Sequence, residues 1–355
     1  MHAFALPIRL QGSHGSPYTR KALAVLRYRR LPYRFIIGQP GNLISAGYPE
    51  AAALPLPKVA LLPTFYFKDA DGNQQAITDT TPILRQLESL SSERKIIPPD
   101  PVLAFLNYLI EDYADEWLTR CMFHYRWNYQ PDIDKASAAL PFYIRSDLAP
   151  EQWLQVQKAV AERQISRLYV VGSNTTTAPV IEQSYERFLQ LMEQHLQQHL
   201  FLMGGRPGAC DFAVMGQLTC LTHFDPTPTA LCVNISPRTY AWVERAEDLS
   251  GFEVSEQDWL QPDQLPPSLE ALLQEIARTH MPQLLANAKA LEQGETSFQT
   301  RIEGQLWEQP SFPYQKKCLL WIRQEFEALS PPERQKTMEI LSRNQLEPLI
   351  SEPIR

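Results

Sequence analysis

The spacing of apolar residues changes several times over the first ninety positions. Pro7-Ile8-Arg9-Leu10 reads as a short strand, and Gln11 to Gly15 as a polar, glycine-containing loop. Ser16-Pro17 then opens a helix, because serine is a favoured N-cap and proline has its φ preset for the first helical position. Tyr18, Ala22, Val25 and Leu26 supply that helix with an apolar face. Pro32 ends it, and Tyr33 to Ile37 reads as a second strand. Residues 38–57, rich in Gly, Ala and Pro, carry no assignable pattern. Val59 to Phe67 is apolar and aromatic, broken by Pro63. The turn Asp69-Ala70-Asp71-Gly72 follows, and Gln75-Ala76-Ile77 completes a hairpin. Thr81-Pro82 starts another helix, carrying Ile83, Leu84 and Leu87.

The order β-α-β, then β-β-α, is the thioredoxin-like arrangement, and Lys95 to Pro101 is a proline-bounded linker. Helical spacing dominates thereafter. Leu106, Ile110, Tyr113 and Trp117 form one stripe; Ile181, Tyr185, Phe188 and Met192 form another. Shorter helices are expected around 150–167, 209–223 and 237–247, with further ones near 268–292, 314–328 and 332–343. Phe298, Thr300 and Ile302 alternate before Glu303-Gly304, which suggests a small hairpin. The fold class expected is an α/β thioredoxin-like front domain followed by an all-α remainder.

Composition narrows the function. The 355 residues are 44% hydrophobic, ample for a buried core and for two domains. A net charge of −7 gives no basic footprint for nucleic acid. No apolar run approaches the roughly 18 residues of a membrane span, and Met1 to Leu10 lacks the layout of a signal peptide. Five scattered cysteines without a Cys-x-x-Cys argue for a reducing compartment and against a disulfide framework or zinc site. A soluble, cytoplasmic protein is expected.

Candidate chemistry centres on Ser16-Pro17-Tyr18-Thr19. A helix N-terminus offers unpaired N–H groups and a positive dipole end, which stabilise an anion there. Ser16 can act as a hydrogen-bond donor, as a plain N-cap, or as both. Glu111, Asp112, Asp115 and Glu116 invite a metal, but their spacing reads as a solvated helix face, with Glu116 and Arg120 as an i,i+4 pair. His124 falls on an apolar stripe and reads as a satisfied core histidine. His195 and His199 lack a third ligand and read as surface residues. No metal is expected.

The first ninety residues resemble the N-terminal domain of the glutathione S-transferase family. Ser16-Pro17-Tyr18-Thr19 stands where glutaredoxins have Cys-Pro-Tyr-Cys and omega-like transferases have Cys-Pro-Tyr or Cys-Pro-Phe, so hydroxyls replace both sulfurs. That removes dithiol chemistry, which needs thiolates. The resemblance implies that Ser16 donates to the thiolate of bound glutathione, with Tyr18 as a second donor. Leu62-Pro63 fits the family's cis-proline position, where the preceding backbone holds the cysteinyl part of glutathione; a trans edge-strand proline is the alternative. Asp79-Thr80 stands where the family has Glu-Ser, to grip the γ-glutamyl group, with helix initiation at Thr81-Pro82 as the bland alternative; Lys58 could meet the glycyl carboxylate but reads more readily as a solvated surface lysine.

Further on, Phe201 to Phe212 resembles the transferase segment that opens a buried helix, with Gly208 as cap, Asp211 retained and Cys210 in place of alanine. Pro237 to Arg245 resembles a late family helix. The match implies a glutathione-binding domain over 1–94, a linker over 95–101, and a helical transferase domain over 102–248. The remaining 249–355 form a mostly helical extension that could cover the cleft, the dimer surface or a partner site. It implies glutathione as co-substrate, a small hydrophobic electrophile and a homodimer; the electrophile could lie near Tyr125 and Trp127, which with Arg126 could reach the cleft, although helix packing is their default reading. A non-enzymatic interaction or scaffold protein on the same fold is the alternative, and a thiol-dependent reductase or lyase is weaker because the helix start has no cysteine.

Overall fold

A computed structural model describes residues 5–41 and 48–351; part of the unassigned 38–57 stretch and the first four residues of the N-terminal reading lie outside them. The front domain runs β1 (Ile8–Gly12), α1 (Pro17–Tyr28), β2 (Tyr33–Ile37), β3 (Thr64–Lys68), β4 (Gln74–Ile77) and α2 (Thr80–Leu87). The sheet order is β2-β1-β3-β4, with β1 parallel to β2 and the other pairs antiparallel. Ile8, Leu10 and Phe65 turn inward to meet Ala22, Val25 and Leu26 of α1 and Ile83, Leu84 and Leu87 of α2. This is the thioredoxin-like domain the periodicity predicts.

The helical part follows as α3 (Pro101–Tyr113), a π-helical turn (Ala114–Leu118), α4 (Thr119–Asn128), α5 (Gln130–Ala139), α6 (Pro150–Ile165), α7 (Ala178–His195), α8 (Ala209–His223), α9 (Pro226–Ile235) and α10 (Pro237–Glu247). Both apolar stripes read from the sequence are fully buried. Helix α8 lies directly on α1: a side chain at Gly216 would come 2.7 Å from the Pro17 carbonyl oxygen. Asp211 accepts from the Gly208 and Leu202 N–H groups at 2.9 and 2.7 Å, so half of the capping box survives. Gly208 is required because a Cβ there would stand 2.4 Å from Asn107 Oδ1.

The C-terminal segment comprises α11 (Pro267–Glu292), β5 (Ser297–Ile302), β6 (Gln305–Pro310), α12 (Pro313–Glu327), α13 (Pro331–Arg343) and α14 (Pro348–Ser351). Strands β5 and β6 form the hairpin suggested by the alternation, turning at Glu303-Gly304. The segment is built into the body of the protein. Trp307 packs on Trp117 at 5.5 Å, Phe326 meets Phe105 at 5.9 Å, and His280 bonds Asp112 at 2.8 Å.

Three readings are corrected. Glu111, Asp112 and Asp115 do not face solvent; they are buried where α3 and the π-turn meet α1 and α2. Lys21 of α1 pairs with two of them, its Nζ lying 2.7 Å from Glu111 and 2.6 Å from Asp115, while Asp112 meets His280. Glu116 and Arg120 form no direct pair, because the π-turn widens the spiral between them and breaks the i,i+4 alignment. Glu116 instead accepts from Gln315, and Arg120 bonds Gln283 and Gln309. His195 is buried, held between Ser268 and the Phe201 carbonyl, because α11 covers that end of α7.

Candidate functional site

Strand β1 delivers the chain to the loop that precedes α1. Its last residue, Gly12, lies so close to α1 that a Cβ would sit 2.6 Å from Thr19 Oγ1. The loop closes by a bond from Ser16 N–H to the Ser13 carbonyl at 3.0 Å. Ser16 has extended backbone angles, and its Oγ accepts from Thr19 N–H at 3.3 Å. That bond uses a hydroxyl lone pair and leaves the O–H proton uncommitted by the cap. Ser16 is part-exposed, at the N-terminus of α1.

The Leu62-Pro63 peptide bond is cis. In the β1–β3 ladder Leu10 faces Phe65 and Gln11 faces Thr64. Continuing that register sets Pro63 against Gly12, at the mouth of the loop that carries Ser16. Leu62 is part-exposed there, and Lys58 is exposed in the preceding segment. Asp79 joins β4 to α2 with φ 86° and makes no capping bond to the helix. Its carboxylate accepts instead from the Tyr314 hydroxyl at 3.0 Å. Burial pushes the Asp79 carboxyl up, opposed by the Tyr314 bond and by Lys317. Thr80 is buried in the first turn of α2. Thr81 does not cap that turn; its hydroxyl joins the Lys21, Glu111 and Asp115 cluster.

That cluster sits one turn below Ser16 and locks the front domain to the helical part. Burial lowers the ammonium pKa of Lys21, but Asp115 and Glu111 outweigh it and hold the group above its ordinary value. Burial likewise pushes Asp115 up against the pull of Lys21. For Glu111 the opposite holds: Lys21 and Arg85 overcome burial and keep it low. Burial, with Asp112 close by, raises Glu116 to about 8.

The remaining expected site residues are distributed differently. The Tyr18 hydroxyl donates to the Asp115 carbonyl at 2.7 Å and lies 3.2 Å from Thr119 Oγ1. Its proton is already spent on the helical part, which corrects its role as a second donor. Tyr125 is buried, stacked on Tyr129 and edge-on to Tyr185. Trp127 is buried with Ala136 and Phe224. Neither presents a surface to a ligand, because α4 turns both rings into its own packing.

Arg126, between them in sequence, is also buried but lies beside the loop that precedes α1. Its Nε meets both Asp225 oxygens at 3.0 Å and its Nη1 approaches the Gly15 carbonyl at 3.5 Å. Leu140 and Tyr143 close over Gly15, where a Cβ would lie 2.6 and 3.2 Å from them. These two wall residues follow α5 without any motif, and no sequence signal pointed to them.

His124 is the satisfied core histidine expected, between Ser173 at 2.8 Å and Glu182 at 3.0 Å. All five cysteines are free and buried. Burial pushes the Cys121 thiol up to about 12 and holds Cys210 well above its ordinary value. Neither is a ready thiolate. Among the described residues no group of His, Cys, Asp and Glu is set to hold a metal ion, and no helix is long and apolar enough to cross a membrane.

Residues 10–95 match the family described as glutathione S-transferase, N-terminal domain. A search of curated proteins finds no match. Among solved structures, the chain overlaps with a glutathione transferase family member from Pseudomonas fluorescens Pf-5 that has two glutathione bound. Identity is 14%, covering 68% of this chain and 92% of that one, with a TM-score of 0.40. A glutathione S-transferase from Rhodospirillum rubrum F11 gives 18% identity, 74% and 97% coverage, and a TM-score of 0.39. A maleylacetoacetate isomerase from Anaeromyxobacter dehalogenans 2CP-1 gives 13%, 70%, 93% and 0.37. The family match coincides with the four-stranded domain, its cis-proline and its serine-capped first helix. Residues 10–95 are therefore similar to the glutathione S-transferase N-terminal domain.

Proposed function

We propose that the protein binds glutathione along its front domain and joins the glutathione sulfur to a small hydrophobic electrophile. The observation that carries this reading is Ser16 at the N-terminus of α1, with its hydroxyl proton unspent by the cap, beside cis Leu62-Pro63. Ser16 donates to the sulfur, which lowers the thiol pKa and raises the fraction of thiolate near neutral pH. The Leu62 backbone holds the cysteinyl part. Asp79 meets the γ-glutamyl ammonium, while Thr80 and the first N–H groups of α2 meet its carboxylate. Lys58 pairs with the glycyl carboxylate. The electrophile lies against Leu140 and Tyr143, with Tyr125 and Trp127 acting as packing behind the wall.

Titration calorimetry with glutathione, followed by conjugation to chlorodinitrobenzene, tests the reading. Ser16→Ala is expected to cut kcat/KM by about 10²-fold, the cost of losing one preorganised donor to a developing anion, while glutathione affinity changes little. Absence of binding heat at millimolar glutathione would overturn it. The same reading carries a cytoplasmic homodimer, so light scattering should give twice the 40.7 kDa of the chain.

A non-enzymatic interaction protein is the second reading. It is favoured by α6, which has no buried residue and exposes Leu154, Val156 and Ile165. Glutathione binding without any conjugation would select it.

A further inference from the structure

Helix α12 packs on α3 and α11 and reaches α2 by a polar bond near each of its ends. Tyr314, in its first turn, donates to Asp79 at 3.0 Å. Glu325, in its last, accepts from Arg85 of α2 at 3.3 Å. Between them, Gln315 donates to Glu116 of the π-turn. Lys317 stands 4.1 Å above the Trp321 ring and 5.9 Å from that of Tyr314, on the side of α12 that faces Asp79. The C-terminal segment therefore delivers its own side chains to the residue that opens α2.

Asp79 needs an external support. At φ 86° its backbone leaves the helical path, and its carboxylate caps nothing in α2. A carboxylate offers about four lone-pair positions. The Tyr314 bond occupies one on Oδ2, fixes the direction of the group, and leaves Oδ1 open to a second donor. Burial favours the neutral acid, while Tyr314 and Lys317 favour the charged one. Both contributions come from α12. Close by, Thr81, Asp112, Asp115 and Glu116 line a small recess beside Tyr314, their acids already engaged by Lys21, His280 and Gln315.

We propose that the C-terminal segment completes the glutathione site: Tyr314 is a positioning residue that holds the Asp79 carboxylate for the α-ammonium of the γ-glutamyl group. The inference rests on the glutathione reading above, and it assigns to α12 a share of ligand recognition beyond the front domain.

The test compares two ligands on the full chain by calorimetry: glutathione, and glutaryl-cysteinylglycine, which differs only by lacking the α-amino group. Wild type should prefer glutathione. Tyr314→Phe should weaken glutathione by roughly 3–10-fold, about the net worth of one ordinary hydrogen bond because Tyr314 acts through Asp79, and leave the deamino ligand within twofold. A merely structural role would weaken both alike. Asp79→Asn, which keeps the side-chain shape, should abolish the preference altogether. If wild type binds both ligands equally, or Tyr314→Phe retains the full preference, the inference is overturned while the glutathione reading stands. If wild type binds neither, the glutathione reading itself falls and takes this inference with it.

Discussion

Lys21 is the residue on which the joint between the two halves turns. Its side chain is 1% exposed and is shared by Glu111, Asp115 and Thr81. Replacing it with methionine would leave two carboxylates buried without their cation. Breaking a buried pair from one side costs about 3–5 kcal/mol, so Lys21→Met should lower the unfolding midpoint sharply. The sign of its pH dependence follows from the carboxyls. Without Lys21, burial raises Asp115 further, and Glu111 keeps only Arg85 to hold it down. A carboxyl whose folded pKa lies above its unfolded value leaves stability intact below the unfolded value, and stability is lost as pH rises through the folded one. The deficit against wild type should therefore be small near pH 4 and grow toward pH 8, as followed by urea unfolding at several pH values. A deficit independent of pH would contradict this account. The serine carried its own local N-cap signal, whereas Pro63 and the Asp79-Thr80 pair were marked by resemblance alone. The sequence hid Lys21, since one lysine on an amphipathic helix looks like any surface cation. Four acids at helical spacing looked solvated for the same reason: their partners, Lys21, His280 and Gln315, lie ninety or more positions away.

Elements were more legible than their contacts. Tyr33–Ile37, Ala209–His223 and Pro237–Glu247 stand within a residue of where periodicity and proline set them, because proline and turn residues punctuate this chain densely. Periodicity alone gave no warning of the π-turn at Ala114–Leu118, which shifts the phase of α4 and turns Tyr125 and Trp127 inward while Arg126 meets Gly15. Helix-on-helix approach is equally invisible in one sequence. Gly216 lies in the middle of α8, where alanine would ordinarily stabilise by about 0.5–1 kcal/mol. Here the added Cβ would stand 2.7 Å from the Pro17 carbonyl and 3.1 Å from Lys21 Cβ. Backbone cannot step aside as a flexible side chain can, so the sign reverses. Gly216→Ala should destabilise by about 1–3 kcal/mol, the usual cost of overpacking, and should tilt the first turn of α1 on which Ser16 sits. Urea unfolding gives the first quantity and conjugation kinetics the second. A more stable variant would mean that α1 and α8 are less tightly apposed than described.

At the scale of the whole molecule, the hundred residues after α10 were the part least anchored by resemblance, and they prove structurally inseparable from the rest. Arg94, next to the linker, donates to the Leu249 and Phe252 carbonyls at 2.7 and 2.6 Å. Trp117 is covered by Trp307, Phe105 by Phe326, and Asp112 by His280. Removing everything after residue 250 would uncover two large aromatic side chains and leave a buried acid without its partner. Losing the packing around one such ring costs about 3–5 kcal/mol, against a total stability of about 5–15 kcal/mol for a typical protein. Two rings and a charge together reach that total. A chain ending at residue 250 should therefore fail to fold cooperatively, bind a hydrophobic dye and lose its near-ultraviolet circular dichroism. Limited proteolysis of the intact protein should leave no stable fragment ending there, and thermal unfolding should be a single transition. A soluble, compact 1–250 fragment with an unchanged near-ultraviolet spectrum would show that the segment is an accessory. It would also set Tyr314 at Asp79 as a contact of convenience, since a site complete without α12 needs no hydroxyl from it.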